Sequence, residues 1–198
     1  MKNGVKKKQI IKAATKIFAR KGFHQAKMDE IAEAAKVAKG TLYYNYASKS
    51  TLFAATVTSG MEEIMDKISR DLESDLPFME HFRLLISNTI RIYLKNKAVI
   101  RIYVNELSSG IDKEALAEIK KVRRRFLRFV TDTLQAGQEM GYLKPLHRQI
   151  SATLLVGMVD ALCSSQLGPE ENYDFEDIIE TVIPIMSTGM LNPEKVKP

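Results

Sequence analysis

The 198-residue sequence predicts an all-α fold. Apolar residues recur three and four positions apart almost throughout, the repeat of helices with one buried stripe. Sustained alternation of apolar and polar residues is missing, and so are the Asn-Gly and Asp-Gly dipeptides of tight hairpins. The 45% hydrophobic content supports a core without covalent staples, and the single cysteine, Cys163, rules out an internal disulfide framework.

Nine helices are expected in order. The first covers residues 5–21, with Ile10, Ala13, Ala14, Ile17 and Phe18 on one stripe and Gly22 as its stop. Two short helices follow, at 28–35 and 39–46, separated by about three residues. Ser48 is a suitable N-cap for a long helix reaching 73, and Pro77 permits a fresh start for 77–95. The remaining four fall at 99–109, 113–140, 148–166 and 175–190. Asp112 and Asp174 are N-cap candidates, and Gly141 and Gly168 are stops.

Charge divides the chain more sharply than composition does. The first 50 residues carry eleven Lys and one Arg against Asp29, Glu30 and Glu33, a balance of +9. Since the whole chain is +6, the other 148 residues sum to −3. A basic excess confined to one end points to a polyanionic partner there. Two domains are expected, at 1–50 and 51–198.

Two short helices joined by a tight turn inside that basic segment form a helix-turn-helix, whose second helix enters the major groove. With Leu42 inward, 100° steps bring Tyr46 to the same side and turn Gly40, Thr41, Tyr43 and Tyr44 outward. Thr41 presents a methyl and a hydroxyl to base edges, Gly40 lets backbone approach closely, and the tyrosines reach bases or phosphates. Lys27, Asn45 and Lys49 are assigned to phosphates, and Lys39 to the start of the recognition helix.

The stretch from Ile10 to Phe53 resembles the DNA-binding domain of the TetR family of repressors. The resemblance rests on the Ala13-Ala14 pair, Phe18, Gly22-Phe23, Ile31-Ala32, the run Gly40-Thr41-Leu42-Tyr43 and Ser48-Lys49. It implies a ligand-responsive regulator, most commonly a repressor, that binds a pseudo-palindromic double-stranded operator as a homodimer. Four positions depart from the family pattern. Lys27 stands where a capping Thr is usual, Lys36 replaces the turn Gly, Ala38 replaces a capping Ser, and Ala47 replaces an aromatic residue.

Dimerisation is also expected from residues 150–167 and 175–191, which are more apolar than one-sided packing needs; Ile178, Ile179, Val182, Ile183, Ile185 and Met186 cover more than one stripe. The C-terminal domain is expected to enclose a pocket for a small apolar effector, lined by Met61, Met65, Phe82, Ile86, Tyr93, Tyr103, Phe126, Phe129 and Met158. The layout, with its QAGQEMGYL and GMVDAL segments, is similar to regulators of fatty-acid metabolism and implies a long acyl chain. Arg124, Arg125 and Arg128, on one basic stripe with Lys121, are then candidates for a phosphate-bearing head group. A hydrophobic drug is the alternative effector, and an architectural DNA binder without effector the alternative function.

Catalysis is not expected. His24, His81 and His147 lie on separate segments, and neither a phosphate-binding Gly-rich loop nor a nucleophile elbow occurs. No cofactor or metal is implied. No stretch approaches the ~18 apolar residues of a membrane span, so a cytoplasmic protein without membrane attachment is expected.

Overall fold

The computed structural model describes residues 2–73, 76–95, 110–165 and 173–195. The described residues form eight helices and no strand: α1 Lys2–Gln25, α2 Met28–Ala34, α3 Lys39–Asn45, α4 Lys49–Leu72, α5 Phe78–Lys95, α6 Lys113–Glu139, α7 Arg148–Ser165 and α8 Phe175–Met190. The helix expected at 99–109 and the stop at Gly168 lie outside the described residues. Helix α1 is broken at Gly22, where φ is 73°, so its regular part ends at the expected stop.

The chain divides into two compact units, one combining Met1–Glu62 with Asn96–Arg123 and the other Glu63–Lys95 with Arg124–Pro198. In the first, Ile10, Ala14, Phe18, Ile31, Leu42, Leu52 and Phe53 make one core, tied by edge-on contacts of Phe53 with Phe18 and Phe23. Ala115 and Ile119, in the first two turns of α6, belong to that same core. In the second, Phe82, Ile90, Ile178, Ile179, Val182, Ile183 and Met186 pack together, joining α5 to α8. Most of the apolar excess read in α8 is therefore this unit's own core; of the six residues named, only Ile185 is exposed.

The helix ends follow the local chemistry of the sequence. Ser48 caps α4 through its Oγ, which accepts from the Thr51 amide at 3.1 Å, and Asp174 accepts from the Phe175 amide at 2.7 Å. Helix α2 ends in a paired cap: Lys36 N–H donates to the Glu33 carbonyl at 2.9 Å and Val37 N–H to Ala32 at 3.0 Å. The same pattern closes α6, with Gly141 and Tyr142 donating to Gln138 and Gly137. Gly141 holds φ +79° without strain, whereas Lys36 is held at φ 54° with a side chain. Neither Lys27 nor Ala38 makes a side-chain cap, consistent with the loss of the usual hydroxyls.

Candidate nucleic-acid interface and ligand cavity

Helix α3 is only seven residues long and is held by one anchor. Leu42 is wholly buried, and Tyr46, just past the helix, is nearly so. That side fixes the other: Gly40 is exposed, Thr41 half-buried, Tyr43 42% exposed and Tyr44 82% exposed. Space around Gly40 is open, so its role is to keep the surface low rather than to relieve crowding. Tyr44 gains little from folding and Tyr43 remains partly open beside it, so the two rings fit a surface that a partner covers.

The cations assigned beside α3 differ in how they are used. Lys27 is exposed. Lys39 is also exposed, but its ammonium lies 2.8 Å from Asp29, whose hydrogen bond and charge raise the lysine's pKa above its ordinary value. Lys49 points inward: Nζ donates to the carbonyls of His24 at 3.0 Å and Ala26 at 3.1 Å, and sits 4.6 Å from the Phe23 ring centroid. It thus closes the open carbonyls that follow the Gly22 break, a task that spacing alone does not reveal. Asn45 donates to the Thr41 carbonyl at 2.8 Å, while its own Oδ1 is buried without a partner among the described residues. Arg20 and Lys21 both pair with Glu30, and the Lys21 hydrogen bond is the main cause of a Glu30 pKa below the ordinary carboxylate value.

The second unit contains a cavity of about 420 Å³ enclosed by the end of α4, α5, the middle and end of α6, α7 and α8. Six of the nine residues read as ligand-binding line it: Phe82, Ile86, Tyr93, Phe126, Phe129 and Met158. Met61 and Met65 are buried but outside it, because α4 meets the cavity only at Ile68 and Leu72. At 1.5 Å rise per residue Met61 is about 10 Å short of Ile68 along the helix axis. Tyr103 lies outside the described residues. Sequence reading missed Leu85, Thr89, Val130, Thr133 and Leu143. Val130 and Thr133 follow Phe126 and Phe129 at helical spacing, a signal that was available.

No acidic residue, Lys or Arg lines the cavity among the described residues. Its polar groups are few, and His81 and Thr133 are hydrogen-bonded to backbone. His81 Nε2 lies 2.7 Å from the Asp71 carbonyl, and Thr133 donates to the Phe129 carbonyl at 3.0 Å. Tyr142 stacks on Phe78 with ring centroids 4.0 Å apart. Such a cavity binds through area and shape, with little to hold a charge. Arg124, Arg125 and Arg128 are exposed on α6 and are not among the lining residues.

Two family models match the chain. The family model described as bacterial regulatory proteins, tetR family, matches residues 10–56. A second, described as tetracyclin repressor-like, C-terminal domain, matches residues 75–164. The chain is 29% identical over 158 residues to the uncharacterized HTH-type transcriptional regulator YhgD of Bacillus subtilis, covering 79% of this chain and 82% of that one. It is 22% identical over 185 residues to the fatty acid metabolism regulator protein of the same organism, covering 93% and 95%. Among solved structures, the fatty acid degradation regulator FadR from Bacillus halodurans superposes with a TM-score of 0.79 at 25% identity, covering 93% of this chain and 95% of that chain. FadR from Bacillus subtilis, in complex with stearoyl-CoA, gives 0.77 at 21% identity, covering 92% and 98%.

Proposed function

Because the chain belongs to the tetR family of bacterial regulatory proteins, a family of DNA-binding transcriptional regulators, we propose that it is a homodimeric repressor released from its operator by a long-chain acyl compound. The observation that carries the effector class is the 420 Å³ cavity, whose described lining offers rings, branched aliphatics and methionines but no cation or anion. An alkyl chain matches that lining, and each buried CH₂ contributes about 0.8 kcal/mol, close to fourfold in affinity. The stearoyl-CoA held by the Bacillus subtilis FadR supports the same class. With the chain in the cavity, a polar head group stays outside, and Arg124, Arg125 and Arg128, exposed on α6 but outside the lining, are the charges proposed for it.

In the division of labour we propose, residues 1–50 read DNA and 51–198 bind effector and partner. Thr41, Tyr43 and Tyr44 read bases, with Gly40 allowing close approach; Lys27, Lys39 and Asn45 serve phosphates, while Lys49, whose ammonium is held by the His24 and Ala26 carbonyls, supports the fold beside them. The dimer presents two recognition helices about 34–36 Å apart or slightly more. Coupling runs along two helices that belong to both units. Helix α4 places Leu52 and Phe53 in the first core and Ile68 and Leu72 at the cavity; α6 does the same with Ala115 and Ile119, then Phe126 and Phe129. A ligand that favours one arrangement of these helices by about 1.4 kcal/mol changes operator affinity tenfold.

The test is a series of acyl-CoA thioesters of increasing chain length, read by melting temperature and by release from the promoter region next to the protein's own gene. Both are expected to rise with chain length until the cavity is filled. Thr41→Ala and Tyr43→Ala are expected to change which sequences are bound; if both leave operator binding intact, the assignment of α3 is wrong.

A further inference from the structure

From the exposed lysines of α1 we infer a second DNA contact: Lys6, Lys7, Lys8, Lys12 and Lys16 bind backbone phosphates flanking the segment read by α3. The inference rests on the DNA-binding reading above and extends it to a surface outside the helix-turn-helix pair. All five side chains are exposed. No acidic residue occurs before Asp29, so nothing on α1 itself balances them. Of the three acids on α2, Asp29 pairs with Lys39 and Glu30 with Arg20 and Lys21, which leaves Glu33. Among the described residues none of the five lysines has an ion pair.

In the free protein this arrangement is unfavourable. Lys8, Lys12 and Lys16 follow one another at i, i+4, the spacing at which like charges on a helix repel. A local rule broken twice in succession with no gain in the folded chain marks a surface shaped for a partner. The partner must be anionic and extended, since the charges spread over about three helical turns. A membrane surface fits poorly, because the apolar stripe of α1 that would enter lipid, from Ile10 to Phe18, is locked in the core. Duplex DNA, already expected beside α3, supplies regularly spaced phosphates and needs no apolar face.

The test compares the full-length protein with Lys6→Gln/Lys7→Gln/Lys8→Gln and with Lys12→Gln/Lys16→Gln, binding a synthetic mixed-sequence DNA duplex across a range of salt concentrations. Each lost phosphate contact is expected to shallow the slope of log K against log salt by about 0.9 per subunit, so the triple variant loses close to three units. Melting temperatures are expected to hold or rise as repulsion is relieved, which separates lost contacts from lost folding. Slopes equal to wild type in both variants would overturn the inference while leaving the DNA-binding reading intact. Failure of the wild-type protein itself to bind duplex would overturn both. Binding of wild type to phosphatidylglycerol vesicles, lost in the variants while their duplex binding is unchanged, would assign the face to lipid and overturn it as well.

Discussion

Lys36 and Gly141 occupy the same place in two helix caps of identical hydrogen-bond pattern, yet only one of them is suited to a positive φ. A β-carbon in the left-handed region costs about 1–2 kcal/mol, whereas glycine loses about 0.5–1 kcal/mol through its freer unfolded chain. Strain relief wins, and Lys36→Gly is expected to stabilise the protein by about 0.5–1 kcal/mol, read as a higher midpoint in urea. A lower midpoint would mean that the lysine side chain contributes something its exposed position does not suggest. Lys49 illustrates the reverse case, a residue whose position suggests phosphate binding but whose ammonium closes two carbonyls beyond the Gly22 break. Removing it by Lys49→Ala is expected to lower stability by about 1 kcal/mol, since charge-assisted bonds to partly exposed carbonyls are replaced by water. A pure phosphate ligand would leave the midpoint unchanged and alter only the salt slope. The outward set of α3 was legible from 100° steps because Leu42 alone fixes the rotation of so short a helix. Lys49 was not, because its acceptors lie more than 20 residues away and backbone carbonyls leave no mark in a sequence.

At the level of elements, α6 is where reading from sequence stopped short. Its apolar stripe is visible from Ala115 to Leu134, but periodicity reports that a face is buried and not against what. The structure divides that stripe, giving Ala115 and Ile119 to the core around α1–α4 and the later positions to the cavity. The methionines of α4 show the same limit from the other side: Met61 and Met65 share the buried side of the helix yet lie beyond the reach of the cavity. Residues on α5 and α7 were placed better, since Phe82, Ile86 and Met158 have neighbours three or four positions away, Leu155 in the case of Met158, that also line the space. If acyl chains fill it, narrowing it from α7 should shorten the preferred chain. Met158→Trp is expected to abolish release by the longest thioesters while shorter ones retain their effect, measured as the chain length giving maximal release from DNA. An unchanged preference would place the ligand elsewhere.

The whole molecule combines a basic end suited to DNA with helices that leave apolar side chains exposed, the face assigned to the second copy in the proposed dimer. On α7, Ile150 and Leu154 are 58% and 67% exposed, and on α8 Ile185 is 60% exposed. Leu154→Glu/Ile185→Glu places charges where solvent now stands in the single chain, so folding should be preserved. Association would be opposed by buried unpaired carboxylates. The pair of substitutions is expected to give a monomer by light scattering and to weaken operator binding at least tenfold, since half-sites then act singly. A dimer of unchanged mass would move the interface to another face. Charge asymmetry was readable from residue counts alone. The exposed patch itself was not, because α8 spends most of its apolar side chains on its own core. No helix among the described residues is long and apolar enough to cross a membrane. The central claim, that an acyl chain in the cavity controls the DNA interface, is tested most directly by fluorescence anisotropy of the full-length protein on its own promoter duplex, titrated with stearoyl-CoA. The expected result is saturable release with at least a tenfold loss of affinity, absent with coenzyme A alone; an affinity for DNA unchanged by saturating stearoyl-CoA would contradict it.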